Sequence, residues 1–151
     1  MKKIGNLGEN LVASWLKNQN YQLLHHNWHC RWGEIDLIAQ NKFQPALIFV
    51  EVKTRSYANW DESGLLSITL RKQQKIIKTA SIFLSSNPEL AELPCRFDVA
   101  LVSYQNRDRH GEYFTLDSVQ SRHRSIGKPV IYPQGYQLTL QTYLSSAFDL
   151  S

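Results

Sequence analysis

Residues 33–55 contain two apolar runs that are joined by a short turn and interrupted by charged residues. The stretch reads GEIDLIAQNKFQPALIFVEVKTR, with Asp36 in the first run and both Glu51 and Lys53 in the second. An unpaired charge that is buried in a strand costs several kcal/mol. A chain that keeps three such residues on adjacent strands therefore needs either mutual pairing or a bound ion. This stretch restricts the fold more than any other, because it requires two charged strands to lie side by side.

Two segments have the periodicity of amphipathic helices. In the first, apolar residues recur at spacings of three and four between residues 4 and 16, and the helix is expected to end near residues 18–20. The second begins after Thr69, a candidate N-cap, and ends at Asn87 and Pro88.

Alternation of apolar and polar residues predicts five strands. In chain order they are YQLLHHNW, EIDLIAQ, ALIFVEVKT, CRFDVALVSY and EYFTLDSV. Residues 120–135 are polar, basic and rich in Pro and Gly, which predicts an exposed loop or arm. Residues 136–150 fit a short helix or a pair of strands equally well. The order of elements predicts an α/β fold in which a mixed central sheet is flanked by helices.

The net charge and the N-terminal residues indicate the type of binding partner and the cellular location. The net charge of the 151-residue chain is +4 at pH 7, which favours an anionic partner such as nucleic acid. MKKIGNLGEN is not followed by an apolar stretch of signal-peptide length, and no window reaches the roughly 18 apolar residues of a membrane span. We therefore expect a cytoplasmic protein without a membrane partner. The two cysteines, Cys30 and Cys95, are expected to be free thiols.

Strand geometry brings the charged residues of this stretch together. Side chains alternate along a strand, so Glu51 and Lys53 share a face with Phe49. A hairpin across residues 41–45 would bring Asp36 within a few ångströms of Glu51. Two carboxylates at that distance repel each other unless a hard divalent cation lies between them, and Mg²⁺ prefers one or two carboxylates with retained waters. Asp36 and Glu51 are therefore candidate Mg²⁺ ligands.

The amine two residues after Glu51 suits phosphodiester hydrolysis. A lysine beside a metal-binding carboxylate can hydrogen-bond an attacking water, or stabilise the extra negative charge of a phosphorane-like transition state. The same pair can equally be a structural ion pair at a sheet margin, and this short motif alone does not separate the two interpretations.

Three helical residues are further candidates. Glu9 lies at the margin of the apolar face of the first helix, where it is either a surface acid or a carboxylate that leans toward Asp36. In the second helix, Gln73 lies within the apolar face and Lys72 lies at its edge. A polar group on a core face needs a partner, so both are candidates for the site or for DNA, while Gln73 is equally a core amide with a structural hydrogen bond.

Several stretches taken together resemble the YraN family of bacterial proteins. They are, in order, GENLVASWL, WHCRWGEIDLIAQ, LIFVEVKTR, the helix from Lys72 to Leu84, and PCRFDVALV. The family is similar to Holliday-junction resolvases and belongs by similarity to the PD-(D/E)XK nuclease superfamily. The resemblance implies a restriction-endonuclease-like fold, with Ile35 where the superfamily motif has proline.

The resemblance also implies roles for individual residues. Glu9 corresponds to the acid of the first helix, Asp36 and Glu51 correspond to the metal ligands, and Lys53 corresponds to the catalytic lysine. Lys72 matches a lysine that begins the second helix. The implied cofactor is Mg²⁺ or Mn²⁺.

On this resemblance, residues 1–119 are expected to form a nuclease-like domain, with residues 120–151 as a basic loop and C-terminal segment packed on the same domain. The expected function is a metal-dependent endonuclease that acts on branched or structured DNA. The alternative is a nucleic-acid-binding accessory protein on a nuclease fold with little or no cleavage. A resolvase acts as a two-fold dimer because a four-way junction offers two symmetric strands, so a homodimer is implied. The predicted DNA contacts are Arg55, Arg122, Arg124 and Lys128.

Other features permit different interpretations. Three histidines and a cysteine within residues 25–30 suggest zinc, but a structural zinc site needs a second pair of ligands, and the remaining Cys and His residues are single and distant. The chain has no nucleophile elbow, Walker A or dinucleotide-binding motif, so hydrolases and nucleotide-binding proteins of those types have no support. Trp28, Trp32 and Trp60 are candidates for stacking on bases, while packing in the core or at its rim is the commoner use of tryptophan.

Overall fold

The computed structural model describes residues 2–59, 68–106 and 126–148, and within these ranges six strands form one sheet with helices on both faces. The helices are α1 (Lys2–Asn18), α2 (Leu70–Ser86) and the short α3 (Pro88–Ala91), and a 3₁₀ turn spans Tyr57–Asn59. The strands are β1 (Tyr21–Cys30), β2 (Gly33–Asn41), β3 (Leu47–Ser56), β4 (Cys95–Asn106), β5 (Pro129–Ile131) and β6 (Tyr136–Phe148).

The described strands lie in the order β1-β2-β3-β4-β6-β5. β3 and β4 are parallel, since the chain returns through α2 between them, and the other neighbouring pairs are antiparallel. The sheet is therefore mixed, which confirms the predicted α/β class. None of the helices in the described ranges is long and apolar enough to cross a membrane.

A hydrophobic core lies on each face of the sheet. α1 packs on one face, where Val12 is fully buried, and α2 packs on the other, where Phe83 is fully buried. Side-chain alternation divides the apolar residues of β3 between the two cores, with Ile48 and Val50 toward α1 and Leu47 and Phe49 toward α2. The charged residues of β3 follow this doubly buried segment directly, so they lie where the two cores end.

The ends of α2 confirm the capping prediction. The Thr69 hydroxyl accepts a hydrogen bond from the Lys72 backbone N–H at 3.2 Å, as expected of an N-cap threonine. At the other end, the Asn87 N–H donates to the Leu84 carbonyl, and Pro88 begins the next helix. This cap fixes the point at which α2 starts, which is next to the charged end of β3.

The C-terminal part of the described chain differs from the sequence prediction. Residues 136–148 form one long strand, β6, instead of a helix or a pair of strands, and β5 forms within the segment predicted as a loop. Both strands are stabilised by pairing, β6 along β4 and β5 along β6, which buries Val130, Leu138 and Leu140. The predicted strand EYFTLDSV, residues 120–125 and the boundary at residue 119 lie outside the described residues.

A buried ionic network ties β4 to β1 and β6. Asp98 is fully buried, and its carboxylate accepts hydrogen bonds from Nε and Nη2 of Arg96 at 2.8 and 2.9 Å, from the Tyr143 hydroxyl at 2.6 Å and from the Ser146 N–H at 2.9 Å. Arg96 also donates to the Tyr21 hydroxyl at 2.9 Å. Burial and the Asp98 charge raise the pKa of Tyr143, so this hydroxyl stays a donor. The network therefore holds three strands together through one fully paired carboxylate.

Candidate functional site

A cleft of about 610 Å³ opens at the charged ends of β2 and β3. It is lined by residues of α1, β1, β2 and β3 and by the start of α2. The residues predicted for the site that line it are Glu9, Asp36, Glu51, Lys53, Arg55 and Lys72. These six predicted residues come from four separate elements, α1, β2, β3 and α2, and their side chains converge in one cleft.

The register of β2 and β3 brings the two carboxylates of these strands together. Backbone pairing ends at Leu37 and Val50, and one further step in the same register would set Asp36 opposite Glu51. At that point the Val52 N–H donates to Asp36 Oδ2 at 2.8 Å. This bond holds the Asp36 carboxylate at the margin between the two strands.

Glu9 reaches the cleft because α1 lies close against β3. A Cβ atom built on Gly8 would collide with the Thr54 side chain, so only glycine permits this approach of the helix. The next residue, Glu9, is 8% exposed, and its Oε2 lies 3.7 Å from His26 Nε2. Glu9 is therefore a buried carboxylate that lines the cleft, and not a surface acid.

The carboxyl groups of the cleft perturb one another. Asp36 interacts electrostatically with both Glu51 and Glu9. Burial, followed by the charge of Glu51, raises the pKa of Asp36 to about 8, although the bond from Val52 acts in the opposite direction. Burial also raises the pKa of Glu9, against the effect of nearby His26. In the metal-free protein, burial and the neighbouring acids therefore oppose the ionisation of Asp36 and Glu9.

Two lysines face these carboxylates. Lys72 Nζ lies 2.9 Å from Glu51 Oε1. Burial, followed by the hydrogen bond and charge of Lys72, lowers the pKa of Lys53 to about 8. Burial acts to lower the pKa of Lys72. Its hydrogen bonds to Lys53 and Glu51, together with the charges of Glu51 and Asp36, outweigh burial, so the pKa of Lys72 is raised overall. Of the two amines, Lys53 is therefore the one that loses its proton at lower pH.

The remaining predicted residues lie outside the cleft lining. Gln73 donates its side-chain amide to the Ile68 carbonyl at 3.1 Å, which is the structural alternative considered for it. Lys128 is exposed and immediately precedes β5. Arg122 and Arg124 lie outside the described residues.

Comparison with known proteins identifies relatives across most of the chain. Residues 8–102 match the model of the uncharacterised protein family UPF0102. The chain belongs to the UPF0102 family. This is the YraN family, so the resemblance is confirmed. Because the family is described as uncharacterised, membership alone assigns no activity.

UPF0102 proteins of several species match this chain at nearly the same identity. The UPF0102 protein of Trichormus variabilis is 48% identical, and the alignment covers 97% of this chain and 94% of that protein. A UPF0102 protein of Acaryochloris marina is 45% identical, with coverage of 98% and 91%. A UPF0102 protein of Nostoc sp. is 47% identical, with coverage of 97% and 94%.

In this member of the UPF0102 family, sequence reasoning missed two ionisable residues of the cleft lining. Glu34 lines the cleft and is exposed, and His29 lines it from β1. Glu34 was detectable, because it lies two residues before Asp36 and so shares its strand parity. His29 was not, since only the register of β1 with β2, which sets His29 opposite Glu34, brings it to the cleft.

The donor set of the cleft fits a hard divalent cation. Asp36 and Glu51 offer carboxylate oxygens, which Mg²⁺ and Mn²⁺ prefer, and both face a cleft that is large enough for water and a phosphate group. Within the described ranges, no group of three or more His, Cys, Asp or Glu side chains is arranged as a preformed metal site. The cleft therefore fits a site in which two carboxylates bind the cation and waters and substrate supply the remaining ligands.

Cys30 and Cys95 are free thiols, as expected.

Replacing Asp36 with Asn is expected to stabilise the metal-free protein, by an amount that grows with pH. The pKa of Asp36 is about 8 in the folded state and about 3.9 in an unfolded chain. Between these values the folded state holds a proton that the unfolded state releases, so the stability of the wild type falls as pH rises. Asp36→Asn removes that loss. In EDTA, its melting temperature should exceed that of the wild type by at least roughly 5 °C near pH 8, and the gain near pH 5 should be roughly a third of the gain near pH 8.

Glu34→Gln is the matched control for that measurement. Glu34 lines the same cleft but is exposed, so its substitution should change the melting temperature by less than about 1 °C at either pH. An equal gain for Asp36→Asn at both pH values would show that the charge of Asp36 carries no burial penalty.

Proposed function

We propose that this protein is a metal-dependent endonuclease that hydrolyses phosphodiester bonds in branched or structured DNA in the cytoplasm, on a fold of the PD-(D/E)XK type. The observation that carries the proposal is the convergence of Asp36, Glu51 and Lys53 in one open cleft. Two carboxylates with an adjacent amine are the set that metal-assisted phosphodiester hydrolysis requires.

The carboxylates supply the metal-binding part of the site. Asp36 and Glu51 would hold Mg²⁺ or Mn²⁺, with Glu9 close enough to influence the charge of Asp36. A bound cation would lower the pKa of a coordinated water and polarise the scissile phosphate. It would also relieve the repulsion between these half-buried acids, which is otherwise offset on the Glu51 side by the 2.9 Å ion pair with Lys72.

The lysines supply positive charge where the transition state gains negative charge. Lys53 lies two residues after Glu51 on β3, so the two side chains leave the strand on the same side. Near neutral pH its ammonium can donate hydrogen bonds to a phosphate oxygen or to the attacking water. Because its pKa lies near 8, the same amine can also accept a proton just above neutral pH.

The proposal of DNA as the substrate rests on charge and on the family resemblance. The chain carries a net charge of +4, and Arg55 is exposed at the cleft. Cationic side chains beside a carboxylate site would bind the phosphates that flank the bond to be cut. The preference for branched DNA comes from the similarity to Holliday-junction resolvases, which also implies a two-fold homodimer for symmetric cuts.

The test is incubation of the purified protein with end-labelled linear, flapped and four-way DNA, each with Mg²⁺, with Mn²⁺ and with EDTA. We expect cleavage only with a divalent cation, and faster cleavage of the branched substrates than of linear duplex. Tight binding to branched DNA without cleavage under any condition would favour the accessory-protein alternative. If the protein neither binds nor cleaves any of these DNA substrates, both proposed functions are contradicted.

A further inference from the structure

Trp32, in the turn between β1 and β2, is a half-exposed tryptophan surrounded by cations. Its exposed fraction is 46%. Lys78 Nζ lies 3.6 Å from the centroid of the indole ring, and the guanidinium carbon of Arg31 lies 5.1 Å from it. Trp28, in contrast, packs edge-on against Phe83 with ring centroids 5.2 Å apart. Because the Trp32 ring is only partly buried, it stabilises the fold less than a fully buried tryptophan would. A large part of its surface remains accessible to a ligand.

The helix beside this turn is strongly basic. α2 contains one arginine, three lysines and no acidic residue. Arg71, Lys75 and Lys78 follow one another at spacings of four and three, so they lie along one side of the helix. Arg71 lies in the first turn of α2, where the helix dipole disfavours positive charge. Helix stability therefore does not explain this distribution, whereas a polyanionic partner would.

The turn and the helix are in direct contact, and both adjoin the cleft. A Cβ atom built on Gly33 would lie 2.8 Å from Thr79 Oγ1 and 3.3 Å from Lys75 Cε. Lys75 also lines a smaller cavity of about 190 Å³, which shares Asp36 and Glu51 with the main cleft. The basic side of α2 therefore leads from the carboxylates toward the turn that carries Trp32.

Chain length sets how far Trp32 can lie from the carboxylates. Asp36 is four positions after Trp32 in the chain, so their Cα atoms are at most about 14 Å apart. One strand of DNA covers that distance in about four nucleotides. A base in contact with Trp32 is thus within a few nucleotides of a phosphate at the carboxylates.

We infer that Arg31, Trp32, Lys75 and Lys78, here called the Trp32 surface, bind an unpaired nucleotide of the strand that enters the cleft. The base stacks on the indole in place of Lys78, whose amine lies 3.6 Å from the ring centroid, and the cations contact the adjoining phosphates. Aromatic rings interleaved with cations are the usual means of binding single-stranded DNA, because an unpaired base exposes its ring face and a paired base does not. The inference rests on the proposed function for the identity of the strand, and it narrows the substrate to DNA with an unpaired segment beside the scissile bond.

The test measures binding in EDTA, where no metal-dependent cleavage takes place. Fluorescence anisotropy is recorded with a labelled oligothymidylate, with the same oligomer lacking its bases, and with a blunt duplex. Trp32→Ala should weaken binding of oligothymidylate by about 5- to 100-fold, and it should change binding of the abasic oligomer and the duplex by less than about twofold. Trp32→Phe should retain most of the affinity, since it keeps an aromatic face.

Phe43→Ala is the matched control. Phe43 is 76% exposed and follows β2 at the end opposite Gly33, roughly 25–30 Å away at the rise of a strand. Its removal should leave binding of oligothymidylate unchanged. Because Trp32 is half-exposed, Trp32→Ala should fold, and its melting temperature should lie within about 2 °C of that of the wild type.

The outcomes separate this inference from the proposed function. If branched DNA is cut but Trp32→Ala binds oligothymidylate as tightly as Phe43→Ala does, the inference is overturned and the function stands. The inference is also overturned if Trp32→Ala weakens duplex and single-stranded DNA equally. If no DNA is cut but Trp32→Ala selectively loses oligothymidylate, the Trp32 surface stands and the nuclease proposal fails.

Discussion

Replacing Lys53 with Met is expected to lower the rate of metal-dependent cleavage of branched DNA at least about 100-fold, while the affinity for that DNA changes by less than about twofold. Lys53 lies beside Glu51 in the cleft, where its ammonium would stabilise charge that develops only in the transition state. Removing such a group lowers turnover and leaves ground-state binding nearly intact. Methionine keeps an unbranched side chain of similar length, so the half-buried position remains filled.

Asp36→Asn should also lower the rate of cleavage at least about 100-fold, but for a different reason. It preserves the shape of the side chain but removes a charged ligand, which weakens the binding of Mg²⁺ or Mn²⁺. DNA affinity should be unchanged or slightly higher, since a charge that repels phosphate is lost. Because this variant is also expected to melt at a higher temperature than the wild type, its inactivity could not be attributed to unfolding.

Both variants are measured by gel shift and by cleavage on one branched substrate. Lys42→Met serves as the control, because Lys42 is exposed in the turn after β2, at the far end of that strand from the cleft. It should cut as fast as the wild type. If Lys53→Met and Asp36→Asn also cut at the wild-type rate, any cleavage belongs to another site or to a contaminant, and the accessory-protein alternative is favoured.

Replacing Asp98 with Ala is expected to reduce the free energy of unfolding by about 3–5 kcal/mol. Asp98 is fully buried and accepts four hydrogen bonds, two of them from Arg96. Its removal leaves the Tyr143 hydroxyl and the partly buried Arg96 guanidinium without their acceptor, and polar groups that lose their partner away from water are costly. The measurement is urea unfolding followed by circular dichroism.

Tyr143→Phe separates the hydrogen bonds of this network from its charge. It removes one donor to Asp98 and leaves the contacts from Arg96 and Ser146 in place. We expect a loss of about 1–2 kcal/mol. A loss below about 1 kcal/mol for Asp98→Ala would show that the network contributes little to stability.

Local sequence patterns were sufficient to predict much of the fold. The strands that they missed form only because they pair with neighbouring strands. The two long helices and the first four strands follow from periodicity, and the start of α2 follows from Thr69 as its N-cap. β5 was missed because three residues next to Pro and Gly have no strand signal of their own and form a strand only beside β6. β6 was ambiguous because its residues 136–148 combine alternation with several polar side chains, and only its pairing with β4 decides between helix and strand.

The residues of the candidate site that lie on two adjacent strands were predictable from the sequence. The contacts that depend on tertiary packing were not. Strand parity and the short turn after β2 were enough to bring Asp36 and Glu51 together. The Val52 N–H that holds Asp36 was not predictable, because it depends on where the pairing of β2 and β3 ends. The ion pair of Lys72 with Glu51 joins two elements whose relative position no local pattern encodes.

The most direct measurement is a titration of Mn²⁺ into the protein by isothermal calorimetry, carried out on the wild type, Asp36→Asn, Glu51→Gln and the control Glu34→Gln. Binding of a divalent cation between Asp36 and Glu51 predicts one saturable site in the wild type and in the control, and affinity at least about tenfold weaker in each of the other two variants. No saturable binding by the wild type, or equal binding by all four proteins, would contradict a metal site at these carboxylates.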